Sequence, residues 1–423
     1  MIKAYNRILI WLSKSTGFDF SYFALNGLWV GLRQLISIIT GLVVSITFAR
    51  LTSQELYGNY QYIISIMSII AIITLPGLNT SIIQATARGF DGGYKKSVRK
   101  SFLWSLVGIP ALFIIGAYYY INNNTGLGSG FMVSSIFFPF LYAPKMWDSL
   151  FQGKSYFKLS TIYASIQSLV HTLAMITVIY LFSDSLIAIV LVFFFISLLF
   201  NAVFYLKSVK YINNQREDSQ AISYGYFLTK IRILATIAAE IDKVVIGIFL
   251  GPASLAIYAI GVTLAYKFFE FTKNLLVIAS PKIARTNTVS NKKYLQLFFF
   301  FLFVAMILFF ILPTIVTVLY SDKYKESILL SQLVILFLPF YVLNTLYKTH
   351  FMLFLRNRKI LFLEAIIYPV LKILLTVPLL VFFKIEGLAL LYGLQYPLNM
   401  LILYVINYSE KRKVKKPPVM EKQ

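Results

Sequence analysis

The 423-residue chain contains no cysteine, which excludes disulfide bonds and thiolate metal sites. Its two histidines, His171 and His350, are too few to make a histidine metal cluster plausible. Charged residues make up 13% of the chain, whereas an ordinary soluble domain has about 25%. Because a soluble protein of this size needs a charged outer surface, this shortage excludes a soluble enzyme, a nucleic-acid-binding module and a disordered tail.

Hydrophobic residues are abundant instead, at 59% of the chain, and lipid is their natural solvent. A bilayer core about 30 Å thick needs about 20 apolar residues per helix. By that measure the sequence predicts about twelve spans, at residues 24–48, 57–78, 102–121, 131–150, 161–182, 185–206, 224–249, 254–279, 295–319, 327–347, 360–383 and 387–407. The predicted fold class is an all-α polytopic membrane protein.

Basic residues outside these spans predict the orientation of the chain, which has 39 Lys and Arg against 16 Asp and Glu. If the N-terminus is cytoplasmic, the outer loops carry only Arg50, Lys323, Lys325 and Lys384. All other basic loop residues then lie inside, as the positive-inside rule requires, so both termini are expected in the cytoplasm. Residues 1–23 fit either an amphipathic helix on the membrane surface or a frayed tail.

The chain also divides into two similar halves. Residues 51–60 resemble 249–258 at an offset of 198, and residues 80–88 resemble 277–285 at an offset of 197. The predicted domains are an N-terminal lobe (1–206, the surface helix and six spans), an inter-lobe linker (207–221) and a C-terminal lobe (222–423, six spans and a basic tail). Because six is even, both copies enter the membrane in the same direction. A pseudo-twofold axis along the membrane normal and a substrate cavity between the lobes are therefore expected.

Ionisable residues inside the predicted spans are candidates for a functional site, because each is costly in lipid. The basic ones are Arg33, Lys230, Arg232, Lys243, Lys267, Lys273 and Lys372, and the acidic ones are Glu240, Asp242, Glu270 and Glu364. Lys273 and Glu364 lie near the cytoplasmic ends of their spans, where snorkelling explains them. Glu240 with Lys243, and Lys267 with Glu270, have the spacing of helical ion pairs. No buried acid is expected in the first six spans.

The surplus of buried cations predicts an anionic substrate. The predicted substrate-binding residues of a cationic cavity are Arg33, Arg232, Lys230, Lys267 and Lys372. Arg33 and Arg232 occupy matching positions in the repeat, and a guanidinium fork matches phosphate oxygens at two points. The 29 tyrosines could stack on sugar faces, although most are expected at the membrane interfaces. No metal site is expected.

Three segments carry a family resemblance: residues 49–60 (ARLTSQELYGNY), 75–88 (LPGLNTSIIQATAR) and 241–258 (IDKVVIGIFLGPASLAIY). They resemble bacterial polysaccharide biosynthesis flippases, the O-antigen or Wzx-type exporters of the multidrug/oligosaccharidyl-lipid/polysaccharide (MOP) superfamily. Two departures from the family pattern are residues 52–54, where a small residue and proline are usual, and Gln84, where arginine is common.

The resemblance implies alternating-access transfer of undecaprenyl-pyrophosphate-linked oligosaccharide to the outer leaflet of the bacterial inner membrane, for surface polysaccharide assembly. It implies membrane lipid, a polysaccharide polymerase and chain-length proteins as partners, with no nucleic acid, no cofactor and no enzymatic activity. Moving negative charge outward is favoured by about 2.3 kcal/mol per charge per 100 mV, and the empty cationic cavity returns partly against that field. Glu240, Asp242 or Glu270 could bind H⁺ or Na⁺ on the return stroke.

Three alternatives remain open at the level of the sequence. A multidrug exporter of the same superfamily would share the fold. A peptidoglycan-precursor flippase resembles the family closely but usually has fourteen helices. A membrane-bound glycosyltransferase or polymerase would need catalytic carboxylates on a sizeable loop, and the largest outer loop, residues 121–130, contains no acid.

Overall fold

A computed structural model describes residues 20–277, 291–350 and 358–414, which form α-helices and short 3₁₀ segments and contain no β-strand. The first stretch contains α1 (Phe20–Leu51), α2 (Gln54–Ile70), α3 (Gly77–Ala87), α4 (Gly93–Ser105), α5 (Gly108–Ile121), α6 (Thr125–Tyr142), α7 (Trp147–Gly153), α8 (Phe157–Leu181), α9 (Leu186–Val209), α10 (Ala221–Phe249) and α11 (Gly251–Val277). The others contain α12 (Asn291–Tyr320), α13 (Glu326–Ile335), α14 (Leu338–His350) and α15 (Arg358–Val414). The predicted surface helix or tail at 1–23 lies largely outside the described residues.

Nine helices of the described residues are long and apolar enough to cross a membrane, or ten if the bent pair α13 and α14 counts as one span. Helix α15 holds two spans, because its backbone breaks at Lys384, where φ is +48°. Helix α10 is also long enough, at 29 residues, but its five charged side chains lower its hydropathy. If the bent pair counts as one span, α15 as two and α10 as one, the described residues contain the predicted twelve spans. The all-α, multi-pass fold class is confirmed.

The described helices group into two compact units. Unit 1 contains residues 20–51 and Ile70–Lys230, and unit 2 contains Thr52–Ile69 and the described residues from Ile231 onward. Helix α2 therefore belongs to unit 2, together with the helices that follow Ile231. The boundary between Lys230 and Ile231 falls inside α10. The predicted lobes 1–206 and 222–423 remain predictions.

In unit 1, α1 packs on α8, and α6 packs on both α5 and α9. Helices α5 and α6 approach closely at glycines: a Cβ atom on Gly116 would lie 2.9 Å from the carbonyl oxygen of Gly128. Small residues at such crossings are typical of membrane helices, because packing replaces the hydrophobic effect as the force that joins them. A buried aromatic cluster in this unit contains Trp147 and Phe151 of α7 and Phe204 of α9.

The predicted linker 207–221 is held within unit 1. The backbone N–H of Asn213 donates to Asp91 at 2.8 Å, and the N–H of Gly92 donates to the carbonyl of Arg216 at 2.9 Å. Asp91 is buried and also pairs with Lys154 at 2.5 Å. This connection is thus fastened by hydrogen bonds over residues 213–216.

In unit 2, α11 packs on α13 and α14, α12 packs on α14, and α13 packs on α15. Buried Ser327 donates its hydroxyl to the carbonyl of Ile257 at 2.7 Å, which joins α13 to α11. Helices α11, α14 and α15 bring polar side chains together inside this unit, and these side chains form the candidate site.

Candidate functional site

The two ion pairs predicted from helical spacing are present in unit 2. Lys243 donates to Glu240 at 2.9 Å on α10, and Lys267 donates to Glu270 at 3.0 Å on α11. Each side chain in these pairs is between 20% and 27% exposed. Both contacts join residues three positions apart on one helix, as predicted, so the two predicted pairs are confirmed.

A third ion pair in unit 2 joins two helices that are distant in sequence. Lys372 Nζ on α15 lies 3.5 Å from Asp242 Oδ2 on α10, and both side chains are at most 4% exposed. The same carboxylate oxygen accepts the hydroxyl of Tyr258 at 2.6 Å. Asp242 Oδ1 is buried and has no hydrogen-bond partner in the described part of the chain. Lys372 Nζ also lies 5.7 Å from the ring centroid of Tyr392, within the range of a cation–π contact.

Lys372 lines a cavity of about 650 Å³ inside unit 2. The cavity is formed by α10, α11, α14 and α15 and is lined by Ala235, Ala238, Ala239, Tyr266, Lys273, Tyr341, Asn344, Thr345, Lys348, Thr349, Tyr368, Pro369, Lys372, Tyr392, Gln395, Tyr396 and Asn399. Among these described residues three are lysines and none is acidic. The volume is that of a small-molecule site.

Several buried polar groups of this cavity lack a hydrogen-bond partner among the residues that the structure describes. They are Asn344 Oδ1, Asn399 Oδ1 and the hydroxyl of Tyr368. Buried polar atoms nearly always have partners, so these three are suited to a polar ligand. The ring centroids of Tyr341 and Tyr396 are 4.9 Å apart in an edge contact, which fixes aromatic surface at the cavity wall. Chemically, the cavity offers cations, amides, hydroxyls and rings.

Most tyrosines are expected at the membrane interfaces, and the sequence-based prediction does not include this polar surface. The signal was nevertheless present, because Tyr341, Asn344 and Lys348 recur at helical spacing along α14. On α15, Tyr392, Tyr396 and Asn399 do the same. A polar stripe on an otherwise apolar helix indicates a protein-facing or ligand-facing side.

Of the five predicted substrate-binding residues, Lys372 alone lines this cavity. Lys230 and Arg232 are exposed on α10, and Lys267 is in its ion pair with Glu270. Arg232 has further interactions of its own. Arg33 belongs to unit 1 and Arg232 to unit 2, so the prediction that the two arginines face one cavity stays a prediction.

Arg33 on α1 has an acidic partner that the sequence analysis did not anticipate. Its guanidinium donates to both carboxylate oxygens of Asp148, at 2.8 and 2.9 Å, and to Ser160 Oγ at 2.8 Å. Asp148 is 15% exposed and lies within the predicted span 131–150. The expectation of no buried acid in the first six spans is therefore wrong. The residues are 115 positions apart, so only the packing of α1 beside α7 and α8 brings them together.

The sequence matches the family model described as "Polysaccharide biosynthesis protein" over residues 23–267, more than half of the chain. No curated protein shows significant sequence similarity to this chain.

Several solved structures share the fold. The lipid II flippase MurJ in an inward closed conformation is 16% identical, with a TM-score of 0.66 over 89% of this chain and 87% of that one. A MOP superfamily transporter from Pyrococcus furiosus is 12% identical, with a TM-score of 0.58 over 94% and 96%. A point mutant of the Vibrio cholerae MATE transporter VcmN is 12% identical, with a TM-score of 0.55 over 94% and 99%. The family match shows that this chain belongs to the polysaccharide biosynthesis protein family.

Proposed function

We propose that the chain transfers undecaprenyl-pyrophosphate-linked oligosaccharide repeat units from the cytoplasmic to the outer leaflet by alternating access. The product is used for surface polysaccharide, such as O-antigen, capsule or exopolysaccharide. The transfer forms and breaks no covalent bond in the substrate, so the chain acts as a transporter and not as an enzyme. Its membership of the polysaccharide biosynthesis family carries the proposal.

The chemistry of the unit 2 cavity supports this substrate class. Three lysines line the cavity without an acid among its described lining residues, which favours an anion over the organic cations of a multidrug exporter. Amides, hydroxyls and tyrosine rings complement the hydroxyls and the faces of sugars. We therefore assign Lys372 to the substrate and propose that the pyrophosphate or the glycan occupies this cavity during transfer.

The other predicted cations differ in how readily an anion can reach their side chains. Lys230 and Arg232 have exposed side chains on α10, which a large anion can approach. Arg33 must first release Asp148, and Lys267 must release Glu270. Arg232 has interactions of its own, but its side chain is exposed and its guanidinium can hold two phosphate oxygens, so we expect it to contribute to pyrophosphate binding.

Coupling to an H⁺ or Na⁺ gradient is part of the proposal, with Glu240, Asp242 or Glu270 as the ion-binding carboxylate. Asp242 Oδ1 can accept an ion or a proton, since it has no hydrogen-bond partner among the described residues, whereas Glu240 and Glu270 each accept a hydrogen bond from a lysine. We also propose that the protein lies in the bacterial inner membrane with both termini in the cytoplasm, beside the polymerase and chain-length proteins that use the transferred repeat units.

Substitution of the two arginines tests the proposed substrate site. We expect Arg232→Ala and Arg33→Ala each to reduce surface polysaccharide in cells that depend on this chain, while the protein still inserts into the membrane. The reason is that each variant removes a bidentate phosphate ligand. Surface polysaccharide is measured on gels, and membrane insertion is measured by blotting of the membrane fraction.

Arg50→Ala is the matched control, because Arg50 is an exposed arginine at the end of α1 and lies outside the proposed site. It should leave surface polysaccharide at the wild-type level. A normal amount of surface polysaccharide in both test variants would contradict the assignment of the two arginines to the substrate site.

A further inference from the structure

Lys372 has two neighbours that compete for its charge. On one side lies the cavity of unit 2, which the lysine lines. On the other side lies Asp242 Oδ2, at 3.5 Å. A charge-assisted hydrogen bond between these groups would be about 2.7–2.9 Å long, so the ammonium is held near the carboxylate without being fully bound to it. The face of Tyr392, 5.7 Å away, gives the ammonium a second attractive surface at the cavity wall.

Asp242 lies behind the cavity and not at its surface. It is 2% exposed, and it is absent from the described residues that line the cavity. Tyr258 donates to its Oδ2 and holds the carboxylate in place, while Oδ1 has no hydrogen-bond partner among the residues that the structure describes. A buried carboxylate that loses its counter-charge is strongly destabilised. Asp242 therefore attracts the ammonium of Lys372, in addition to its electrostatic interaction with Lys243.

An anion in the cavity would also attract the ammonium of Lys372. It would meet the ammonium of Lys372 together with the lysines at positions 273 and 348, with no acidic group among the described lining residues to repel it. Charges attract one another more strongly in the low dielectric of a protein interior than in water. The two attractions on Lys372 are thus of the same kind and compete for one ammonium group.

We propose that Asp242 is a built-in competitor for Lys372. An anionic oxygen that enters the cavity takes the ammonium from Asp242, and Asp242 reclaims it when the anion leaves. The ligand is a phosphate or carboxylate group, supplied either by the pyrophosphate of a lipid carrier or by an acidic sugar. The identity of this ligand rests on the proposed function, whereas the exchange itself rests on the geometry of the pair. Such a competitor limits affinity and so promotes release of a transported anion.

The proposal makes Asp242 and Lys372 act with opposite sign on anion binding. Asp242→Asn keeps a side-chain oxygen for the Tyr258 hydroxyl but removes the competing charge, so anions should bind about tenfold more tightly. Lys372→Gln should weaken binding by a similar factor. Tyr258→Phe removes a stabilising donor from Asp242, which then holds Lys372 more firmly, so anion binding should weaken although Tyr258 does not line the cavity.

Calorimetry on the purified full-length chain in detergent measures these affinities, with inorganic pyrophosphate and glucuronate as separate probes. A stronger response to pyrophosphate identifies the lipid carrier as the source of the anion, and a stronger response to glucuronate identifies an acidic sugar. Asp322→Asn is the matched control, because Asp322 pairs with Lys325 at 3.0 Å outside the cavity. This variant should bind both probes as the wild type does.

The double variant Asp242→Asn/Lys372→Gln provides the decisive comparison. Because Asp242 acts through Lys372, the double variant should bind anions as weakly as Lys372→Gln alone. The proposal is overturned if Asp242→Asn binds no more tightly than the wild type, or if the double variant binds more tightly than Lys372→Gln. Should Asp242→Asn fail to fold, Tyr258→Phe decides: weaker anion binding supports the exchange, and unchanged binding overturns it.

These binding results are separable from the proposed function. If the exchange holds but reconstituted protein does not transfer lipid-linked oligosaccharide, the proposed function fails and the anion site stands. If transfer is observed and Asp242→Asn does not tighten anion binding, the exchange fails and the proposed function stands.

Discussion

At Gly58 the backbone of α2 lies directly against the start of α11. A Cβ atom on Gly58 would be 1.7 Å from the carbonyl oxygen of Pro252, a distance that requires the backbone itself to move. The two residues belong to the segments 51–60 and 249–258, which the sequence analysis matched as copies of one motif. The motif therefore packs against its own copy within unit 2.

Gly58→Ala is expected to destabilise the protein, because overpacking a rigid contact typically costs about 1–3 kcal/mol or more. The measurement is the unfolding temperature of the purified protein in detergent. Gly41→Ala is the control: Gly41 is also helical, but a Cβ atom there meets nothing within 4 Å, so its unfolding temperature should not fall. An unchanged unfolding temperature in Gly58→Ala would contradict the close contact.

Residue contacts were predictable from the sequence only where they are local. Glu240 with Lys243, and Lys267 with Glu270, follow from helical spacing, and both pairs are present. The partner of Arg33 was missed, because Asp148 lies on a different helix and reaches it only through tertiary packing.

At the scale of helices and connections, the segment 213–218 of the predicted linker is held by contacts that the sequence does not reveal. A polar stretch between two groups of spans predicts a linker, yet its backbone is bonded to Asp91 and Gly92. Lys96 and Glu217 add an ion pair of 2.7 Å between side chains that are 61% and 42% exposed. We expect buried Asp91 to contribute more than the Lys96–Glu217 pair to holding this segment, since exposed ion pairs contribute little to stability.

We expect Asp91→Ala to loosen this segment, because the variant removes the acceptor for the N–H of Asn213 and leaves buried Lys154 without its partner. A lost buried hydrogen bond to a charged group is worth about 1–3 kcal/mol, so backbone amides at 213–218 should exchange about tenfold faster or more. Hydrogen–deuterium exchange with mass spectrometry measures this. Lys96→Ala should leave exchange nearly unchanged, and equal protection in Asp91→Ala and the wild type would show that the segment is held by other contacts.

Helices themselves were predictable where apolar runs are long. The predicted spans 161–182 and 185–206 correspond closely to α8 and α9. Helix boundaries were less predictable near polar residues: α4 begins at Gly93, well before the predicted span 102–121, since basic residues at its start obscure the helix. The break at Lys384 separates two spans that form one helical stretch from Arg358 to Val414.

For the whole molecule, composition and a family resemblance together predicted a multi-pass membrane protein of the polysaccharide biosynthesis family, and the membrane-length helices and the family match agree with that prediction. The predicted cavity between the lobes remains a prediction. The cavity inside unit 2 was not predicted, because it is made by polar stripes on α14 and α15 that become visible as a site only when the helices are packed. Apolar runs determine the number of spans, but tertiary packing determines which polar residues meet.

Transfer of a lipid-linked glycan by the purified chain tests the central claim most directly. The full chain is reconstituted into proteoliposomes with a fluorescent undecaprenyl-pyrophosphate-linked oligosaccharide, and the fraction of label that an external membrane-impermeant reductant reaches is followed over time. We expect that fraction to rise faster than in protein-free vesicles, to slow in Arg232→Ala and to respond to an imposed H⁺ or Na⁺ gradient. Transfer no faster than in protein-free vesicles, with or without a gradient, would contradict the proposed function.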